Sequence, residues 1–200
     1  MSSSKTDTST RILDAAWTLL ESSGGPAVRM GDIAKAAGIS RQAVYLHFPT
    51  RADLLTATAR HIDDAKGVDG RLAASRAATG GAERLDAFIE AWGNYIPEIH
   101  GVARALIAAA DSDPAAAEAW ADRMAALRQG CEAAVAALKK DGLLAPGLPP
   151  RQATDLLWTL LSVRNWEQLV GDAGWPQKRY VAAMKTTARR SLTTLADGPT

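Results

Sequence analysis

The sequence MGDIAKAAGISRQAVYLHFPTR, residues 30–51, contains two short helical patterns with a turn between them. The apolar residues Ile33, Ala34 and Ala37 fall on one face of the first helix. Gly38 supplies a residue that can take a positive φ where this helix must stop, and Ser40 is a good N-cap for the second helix. Two short helices joined by a glycine-containing turn are typical of a helix-turn-helix, whose second helix enters the major groove of DNA.

The second helix carries polar side chains that suit this interpretation. Arg41 can form a forked pair of hydrogen bonds with guanine, and Gln42 can do the same with adenine. An ordinary helical hairpin in an all-α core is the alternative. A hairpin of that kind has no need for arginine, glutamine, tyrosine and histidine on one short helix, so the pattern favours DNA recognition with Arg41 and Gln42 as the base-reading pair.

This stretch resembles the DNA-binding domain of TetR-type (TetR/AcrR) transcriptional regulators. The matching residues are Asp32-Ile33-Ala34, Ala37-Gly38-Ile39-Ser40, Val44-Tyr45, His47-Phe48-Pro49, Arg51 and Asp53-Leu54-Leu55. The resemblance implies an all-α fold, with an N-terminal three-helix helix-turn-helix domain and a C-terminal helical domain that binds a ligand and dimerises. It also implies repression of transcription that is relieved by a ligand.

The resemblance assigns DNA backbone contacts to Tyr45, His47 and Arg51. Arg51 follows Thr50, which can cap the next helix, and the N-terminus of a helix favours phosphate. His47 could equally be a structural histidine. Arg29 stands where the family usually has a capping serine or threonine, and it can contact phosphate instead.

The composition sets the limits for other functions. The chain has 200 residues, 47% of them hydrophobic and 22% charged, and a net charge of +1, so DNA binding must depend on where the charges lie. Cys131 is the only cysteine, which excludes an intrachain disulfide and fits the reducing cytoplasm. The polar N-terminus has no signal-peptide pattern and no apolar run is long enough for a membrane span, so we expect a cytoplasmic protein without a membrane partner.

The patterns divide the chain into two predicted domains. Residues 1–66 form the DNA-binding domain, beginning with a flexible arm over residues 1–8 in which Lys5 can touch DNA. A helix from about Ser9 to Ser22 follows, and two glycines end it. Residues 67–82 are rich in glycine and alanine and are predicted to form a loop-like linker, and residues 83–200 form the effector-binding and dimerisation domain.

The second domain is predicted to be helical throughout. The helices are expected at about 83–95, 98–110, 114–141, 151–171 and 176–195. Asp113-Pro114 and Trp175-Pro176 are expected to begin two of them, because proline is favoured at the start of a helix.

The last two helices carry apolar stripes that the resemblance assigns to a homodimer. The predicted interface residues are Leu157, Leu161, Tyr180, Met184, Ala188 and Ser191. A two-fold dimer would place two recognition helices about 34 to 36 Å apart on a palindromic operator in double-stranded DNA. The alternative is that these stripes are buried within one subunit.

Aromatic residues are concentrated in the second domain, where the resemblance implies a cavity for a small-molecule effector. The predicted ligand-binding residues are Trp92, Tyr95, His100, Trp120, Trp158 and Asn165. The alternative for the aromatic rings is that they fill a core built from small alanines. The expected effector is small, largely apolar and aromatic.

No pattern in the sequence indicates an enzyme. The three histidines show neither metal-ligand spacing nor a hydrolase triad order, and no glycine-rich phosphate loop follows a strand. We therefore expect no catalytic residues, no metal and no cofactor. The predicted function is a ligand-responsive, sequence-specific DNA-binding regulator, and a helical dimeric scaffold without ligand-controlled DNA binding is the alternative.

Overall fold

The computed structural model describes residues 2–23 and 28–194, with the side chains of 7–22 and 28–194. Over these residues the chain is all-α and contains no strand, which confirms the predicted fold class. An isolated bridge joins Leu144 to Thr193.

The α-helices of the described residues vary in length from single turns to more than seven turns. In chain order they are α1 Ser2–Ser23, α2 Met30–Ala36, α3 Arg41–His47, α4 Arg51–Ala65, α5 Val68–Arg71, α6 Ala73–Ala77, α7 Gly81–Ala109, α8 Pro114–Lys140, α9 Pro150–Leu160, α10 Val163–Trp166 and α11 Gln177–Leu192. A π-helical segment, Glu167–Asp172, follows α10.

The chain forms two compact units. The first holds the residues up to Gly67 together with Ile99–Met124, and the second holds Val68–Glu98 together with the residues from Ala125 onward. Compact units are not the same as domains that fold alone, so the predicted division at residues 66 and 83 stays a prediction.

The first unit is built around α1, which contacts both α2 and α4. The predicted apolar face of α1 is buried against residues from α2, α3, α4 and the ends of α7 and α8. The largest contributors are Ile12, Leu20, Ile33, Val44, Leu54, Leu55, Ile62, Val102 and Leu106. This core fixes the helix-turn-helix because each of its helices buries one face in it.

The predicted local signals of the helix-turn-helix are confirmed. Gly38, in the turn after α2, has a φ of 68°, in the left-handed region that glycine adopts without strain. The Ser40 hydroxyl oxygen accepts a hydrogen bond from the Ala43 amide at 3.1 Å, which caps α3. Thr50 and Asp53 form a reciprocal capping box at the start of α4.

The start of α1 differs from the prediction. The helix begins at Ser2, whereas the sequence predicts an arm over residues 1–8 and a helix from about Ser9. No glycine or proline separates Ser2 from Ser9, so nothing in this segment stops the helix. The Lys5 side chain and the two glycines at positions 24 and 25 lie outside the described residues.

The segment predicted to be a loop contains α5 and α6. Its alanines are strong helix formers, and the Ser75 hydroxyl donates to the carbonyl of Arg84 at 3.1 Å. The loop prediction for residues 67–82 was therefore wrong for most of this segment.

Helix α7 runs through Pro97, where the sequence predicts a break between two helices. Proline removes one backbone hydrogen bond from a helix interior. Pro97 is exposed, while the neighbouring Tyr95 and Ile96 are buried, so burial of the adjacent face keeps the helix continuous.

The helix predicted over 151–171 is instead divided after Leu160. Ser162 adopts an extended backbone and its hydroxyl accepts a hydrogen bond from the Asn165 amide at 3.2 Å, which starts α10. The Asn165 side-chain amide donates to the carbonyls of Thr159, at 2.7 Å, and Leu160, at 3.2 Å, at the end of α9. These two polar side chains stabilise the break, because they satisfy backbone groups that a continuous helix would pair.

In the second unit α7 and α8 approach closely at two glycines. A Cβ atom on Gly130 would collide with the ring of Phe88, and one on Gly81 would lie 2.7 Å from the backbone of Ala137. The Asp141 carboxylate accepts a hydrogen bond from the Gly81 amide at 2.6 Å. At Gly81 only glycine permits this helix spacing, because the obstacle is backbone, whereas at Gly130 the Phe88 ring would have to move.

Candidate nucleic-acid interface and effector site

Helix α3 presents a polar face to solvent. Arg41, Gln42, Tyr45 and Leu46 are exposed, while Val44 is fully buried in the first-unit core. Residues four apart on a helix lie above one another, so Arg41 pairs with Tyr45 and Gln42 lies beside Leu46. The buried valine and the Ser40 cap therefore fix which side chains face outward.

Arg41 and Tyr45 interact on this face. The Arg41 guanidinium lies 5.7 Å from the centre of the Tyr45 ring and donates to its hydroxyl at 3.3 Å. This hydrogen bond raises the pKa of Arg41 further above its ordinary value, so the group stays charged. The pairing holds a cation over an aromatic ring at the surface, where it can turn toward a base or a phosphate.

The other predicted DNA contacts lie around α3. His47 is half-buried at the end of α3, and the centres of the His47 and Phe48 rings lie 6.5 Å apart. Arg29 is exposed, and α2 begins after it without a side-chain cap, in agreement with the absence of a capping serine or threonine. Neither position conflicts with the predicted backbone contact, and both contacts stay predictions.

Arg51 has a different position from the one predicted. Its guanidinium donates through Nε and Nη2 to the carbonyl of Val28, at 3.0 and 2.8 Å, and pairs through Nη1 with Asp113. Asp113 also accepts a hydrogen bond from the Ala115 amide at 3.1 Å, which caps α8. Arg51 thus joins three segments of the first unit, so the prediction that it contacts phosphate is not supported.

Two more ion pairs link α4 to α8 within the first unit. Arg60 pairs with Asp122 at 2.5 Å, and Asp63 pairs with Arg123. Hydrogen bonds from Arg60, and then from Arg123, hold the pKa of the Asp122 carboxyl below its ordinary value. These pairs could not be predicted from the sequence because their members lie far apart along the chain.

The first unit also contains an open groove of about 540 Å³ that the sequence did not predict. Leu13 and Phe48 contribute apolar surface, and the rim is mostly charged. The remaining lining residues are Asp53, Thr56, Ala57, Arg60, His61, Asp64 and Glu118.

The predicted ligand-binding residues are divided between the two compact units. Trp120 packs against the first-unit core, and His100 falls within the same unit. The Asn165 amide donors are used by backbone carbonyls at the end of α9. These contacts describe the surroundings of the three residues, and their predicted roles in ligand binding stay predictions.

Trp92 and Tyr95 do lie side by side in the second unit, with ring centres 6.1 Å apart and an interplanar angle of 60°. The indole of Trp92 donates to the carbonyl of Leu161 at 2.7 Å. Trp158 is half-buried, with the Arg128 guanidinium 5.7 Å from its ring centre. Trp92, Tyr95 and Trp158 thus belong to the same compact unit, and their predicted ligand contacts also stay predictions.

The sequence missed an unusual polar group in this unit. Tyr180 is fully buried, and its hydroxyl has no hydrogen-bond partner among the described residues. Burial raises the pKa of Tyr180, so the hydroxyl stays protonated. A buried hydroxyl without a partner costs free energy that a hydrogen-bonding group brought in by a ligand can recover.

The predicted dimer interface is mostly the interior of the second unit. Five of the six residues are at most 5% exposed in the single chain: Leu157, Leu161, Tyr180, Met184 and Ala188. Ser191 alone of the six is exposed. This burial within the single chain favours the alternative interpretation for these five side chains, and the interface itself stays a prediction.

Other residues of α9 and α11 are exposed on each of the two helices. Leu156 is 51% exposed on α9, and Thr159 follows it. On α11, exposed positions recur at a spacing of four, at Ala182, Thr186 and Arg190. This spacing places them on one side of the helix.

Cys131 has a structural role. Burial raises the pKa of Cys131 to about 12, so this thiol is protonated at neutral pH and is a poor nucleophile.

Among the described residues, no helix is long and apolar enough to cross a membrane.

Residues 12–58 match the family model for bacterial regulatory proteins of the tetR family. The HTH-type transcriptional repressor LfrR of Mycolicibacterium smegmatis is 29% identical over 184 residues, which cover 92% of this chain and 89% of LfrR. The HTH-type transcriptional regulator AcrR of Shigella flexneri is 42% identical over 50 residues, covering 25% of this chain and 23% of AcrR.

Two solved structures show that the fold extends over nearly the whole chain. A protein from Saccharomonospora viridis in complex with choline has a TM-score of 0.72 at 20% identity, covering 95% of this chain and 100% of that one. The fatty acid degradation regulator FadR from Bacillus halodurans has a TM-score of 0.72 at 19% identity, covering 91% of this chain and 94% of that one.

Proposed function

This chain is a transcriptional regulator of the tetR family, and from that premise we propose that it is a repressor released from its operator by a small effector. The exposed face of α3 is the main support for this proposal. It presents the Arg41 guanidinium and the Gln42 amide at adjacent positions, while Val44 of the same helix is fully buried. LfrR, which is similar to this chain over 92% of the chain's length, is a repressor.

Arg41 and Gln42 read base edges in the major groove. Arginine forks onto guanine and glutamine onto adenine, so these two residues specify adjacent base pairs. Tyr45, His47 and Arg29 contact the DNA backbone and set the position of α3. Arg51 has no part in this interface, since its donors hold the first unit together.

The protein acts as a homodimer through the exposed face of α9 and α11. The face contains Leu156 and the small residues Ala182 and Thr186, with Ser191 beside them, and small residues allow two helices to approach closely. A two-fold dimer matches a palindromic operator whose half-sites lie about 34 to 36 Å apart. The complex forms in the cytoplasm, where the DNA is.

The effector binds in the second unit, near Trp92, Tyr95 and Trp158. Aromatic rings suit a largely apolar molecule, and the buried Tyr180 hydroxyl suits one hydrogen-bonding group on it. The Saccharomonospora viridis protein of the same fold was solved with choline bound. Coupling is reciprocal, so operator DNA weakens effector binding by the factor by which the effector weakens DNA binding.

The test begins with selection of duplexes from a random DNA pool by the purified protein. We expect a palindrome and, by light scattering, a dimer bound to it. A compound library is then titrated against tryptophan fluorescence and operator release. If no DNA is enriched, the chain is a helical scaffold; if ligands bind without releasing DNA, the effector part of the proposal is wrong.

A further inference from the structure

Leu46 is the most exposed of the large apolar side chains in the described residues. It is 77% exposed, compared with 51% for Leu156 and 37% for Tyr45. Single exposed leucines are common on protein surfaces and need no explanation by themselves. This one lies on α3, next to Tyr45, on the face that carries Arg41 and Gln42.

A buried residue and an N-cap determine which side chains of α3 face outward. Val44 is fully buried and the Ser40 cap sets where the helix begins. Leu46 therefore projects outward one turn beyond Gln42, with Cβ atoms about 5 to 6 Å apart by helix geometry. Arg41 and Tyr45 contact each other along one line of the helix surface. Gln42 and Leu46 lie along the neighbouring line, where they present an amide followed by an apolar side chain.

Base pairs offer an apolar group to the major groove at the C5-methyl of thymine. A leucine placed beside an adenine-reading glutamine has this group as its natural contact. We propose that Leu46 is a specificity residue that reads a thymine methyl, one helical turn along α3 from the base read by Gln42. This inference rests on the proposed function, and it predicts A·T pairs at both positions of each half-site.

The experiment uses the full-length protein and the operator recovered from the random pool. Each thymine is replaced in turn by uracil, which removes only the methyl group. We expect the wild type to lose about fourfold in affinity at one thymine per half-site, from the burial of one methyl group. Leu46→Ala should bind the thymine and uracil duplexes equally, while Leu46→Met, which keeps an apolar side chain of similar volume, should retain the discrimination.

The outcomes separate this inference from the function on which it rests. If the wild type binds operator and random duplexes equally, the proposed function is wrong and the inference falls with it. If the wild type prefers the operator but Leu46→Ala keeps its thymine-to-uracil ratio, only the role of Leu46 is refuted. Circular dichroism of both variants shows that the fold is intact, as expected for a side chain outside the core.

Discussion

Replacing Arg51 with alanine is expected to destabilise the first unit and to leave the salt dependence of DNA binding unchanged. The substitution removes two hydrogen bonds to the Val28 carbonyl and the ion pair with Asp113. Val28 is buried, and the side chains of Arg51 and Asp113 are 22% and 15% exposed. Water can therefore replace the lost partners only in part.

The magnitude follows from the groups left without partners. A buried carbonyl that loses its donors costs about 1 to 3 kcal/mol, and a hydrogen bond to a charged group contributes about 1.5 to 3 kcal/mol. Allowing for relaxation, we expect a loss of about 2 to 4 kcal/mol. For a chain of this size, each kcal/mol lowers the midpoint of thermal unfolding by about 2 to 4 °C, so the total shift is roughly 4 to 16 °C.

Thermal unfolding followed by circular dichroism at neutral pH measures this shift. Arg60→Ala is the matched control, since its ion pair with Asp122 is exposed on the arginine side and should contribute less than about 1 kcal/mol. The salt slope of DNA binding should be the same for wild type and Arg51→Ala. If the melting temperature is unchanged and the salt slope of DNA binding falls by about one, the stabilising role of Arg51 is refuted and Arg51 contacts phosphate instead.

Four further variants test three other assignments. Arg41→Ala should weaken binding to the operator by about 1 to 3 kcal/mol but leave random duplexes nearly unaffected, and equal losses in a fluorescence titration would exclude base reading. Met184→Glu should unfold the protein, because it buries an unpaired charge. Leu156→Glu should instead yield a protein that is folded and monomeric by light scattering. If Met184→Glu is also folded and monomeric, Met184 belongs to the dimer interface after all. Tyr180→Phe should keep or slightly raise the melting temperature while weakening the effector, and a clear loss of stability would mean that the hydroxyl already has a partner.

The helix-turn-helix could be predicted because its signals are local. A glycine at positive φ, the Ser40 cap and the Thr50 capping box each act within a few residues of where they stand. The core face of α1 followed from helical periodicity for the same reason.

Long-range contacts were beyond the reach of these signals. Periodicity identified the apolar stripe of α11 but could not show whether the same chain or a partner covers it, and Met184 proved to be covered by its own chain. Arg51 was correctly placed at a helix start, yet its partner Asp113 comes 62 residues later. Pro97 likewise suggested a break that burial of the neighbouring residues prevents.

The close approach of α7 and α8 at Gly81 and Gly130 bears on how the proposed effector site can be mapped genetically. Any side chain at Gly130 must displace the Phe88 ring, and any at Gly81 meets the backbone of Ala137. We therefore expect a selection for cells that no longer respond to an inducer to recover Gly81 substitutions only as proteins that fail to accumulate, so that the proposed target genes are permanently expressed. Alleles that stay repressed in the presence of inducer should instead map to positions such as Trp92 and Tyr95, where a side chain can change while the helices keep their spacing.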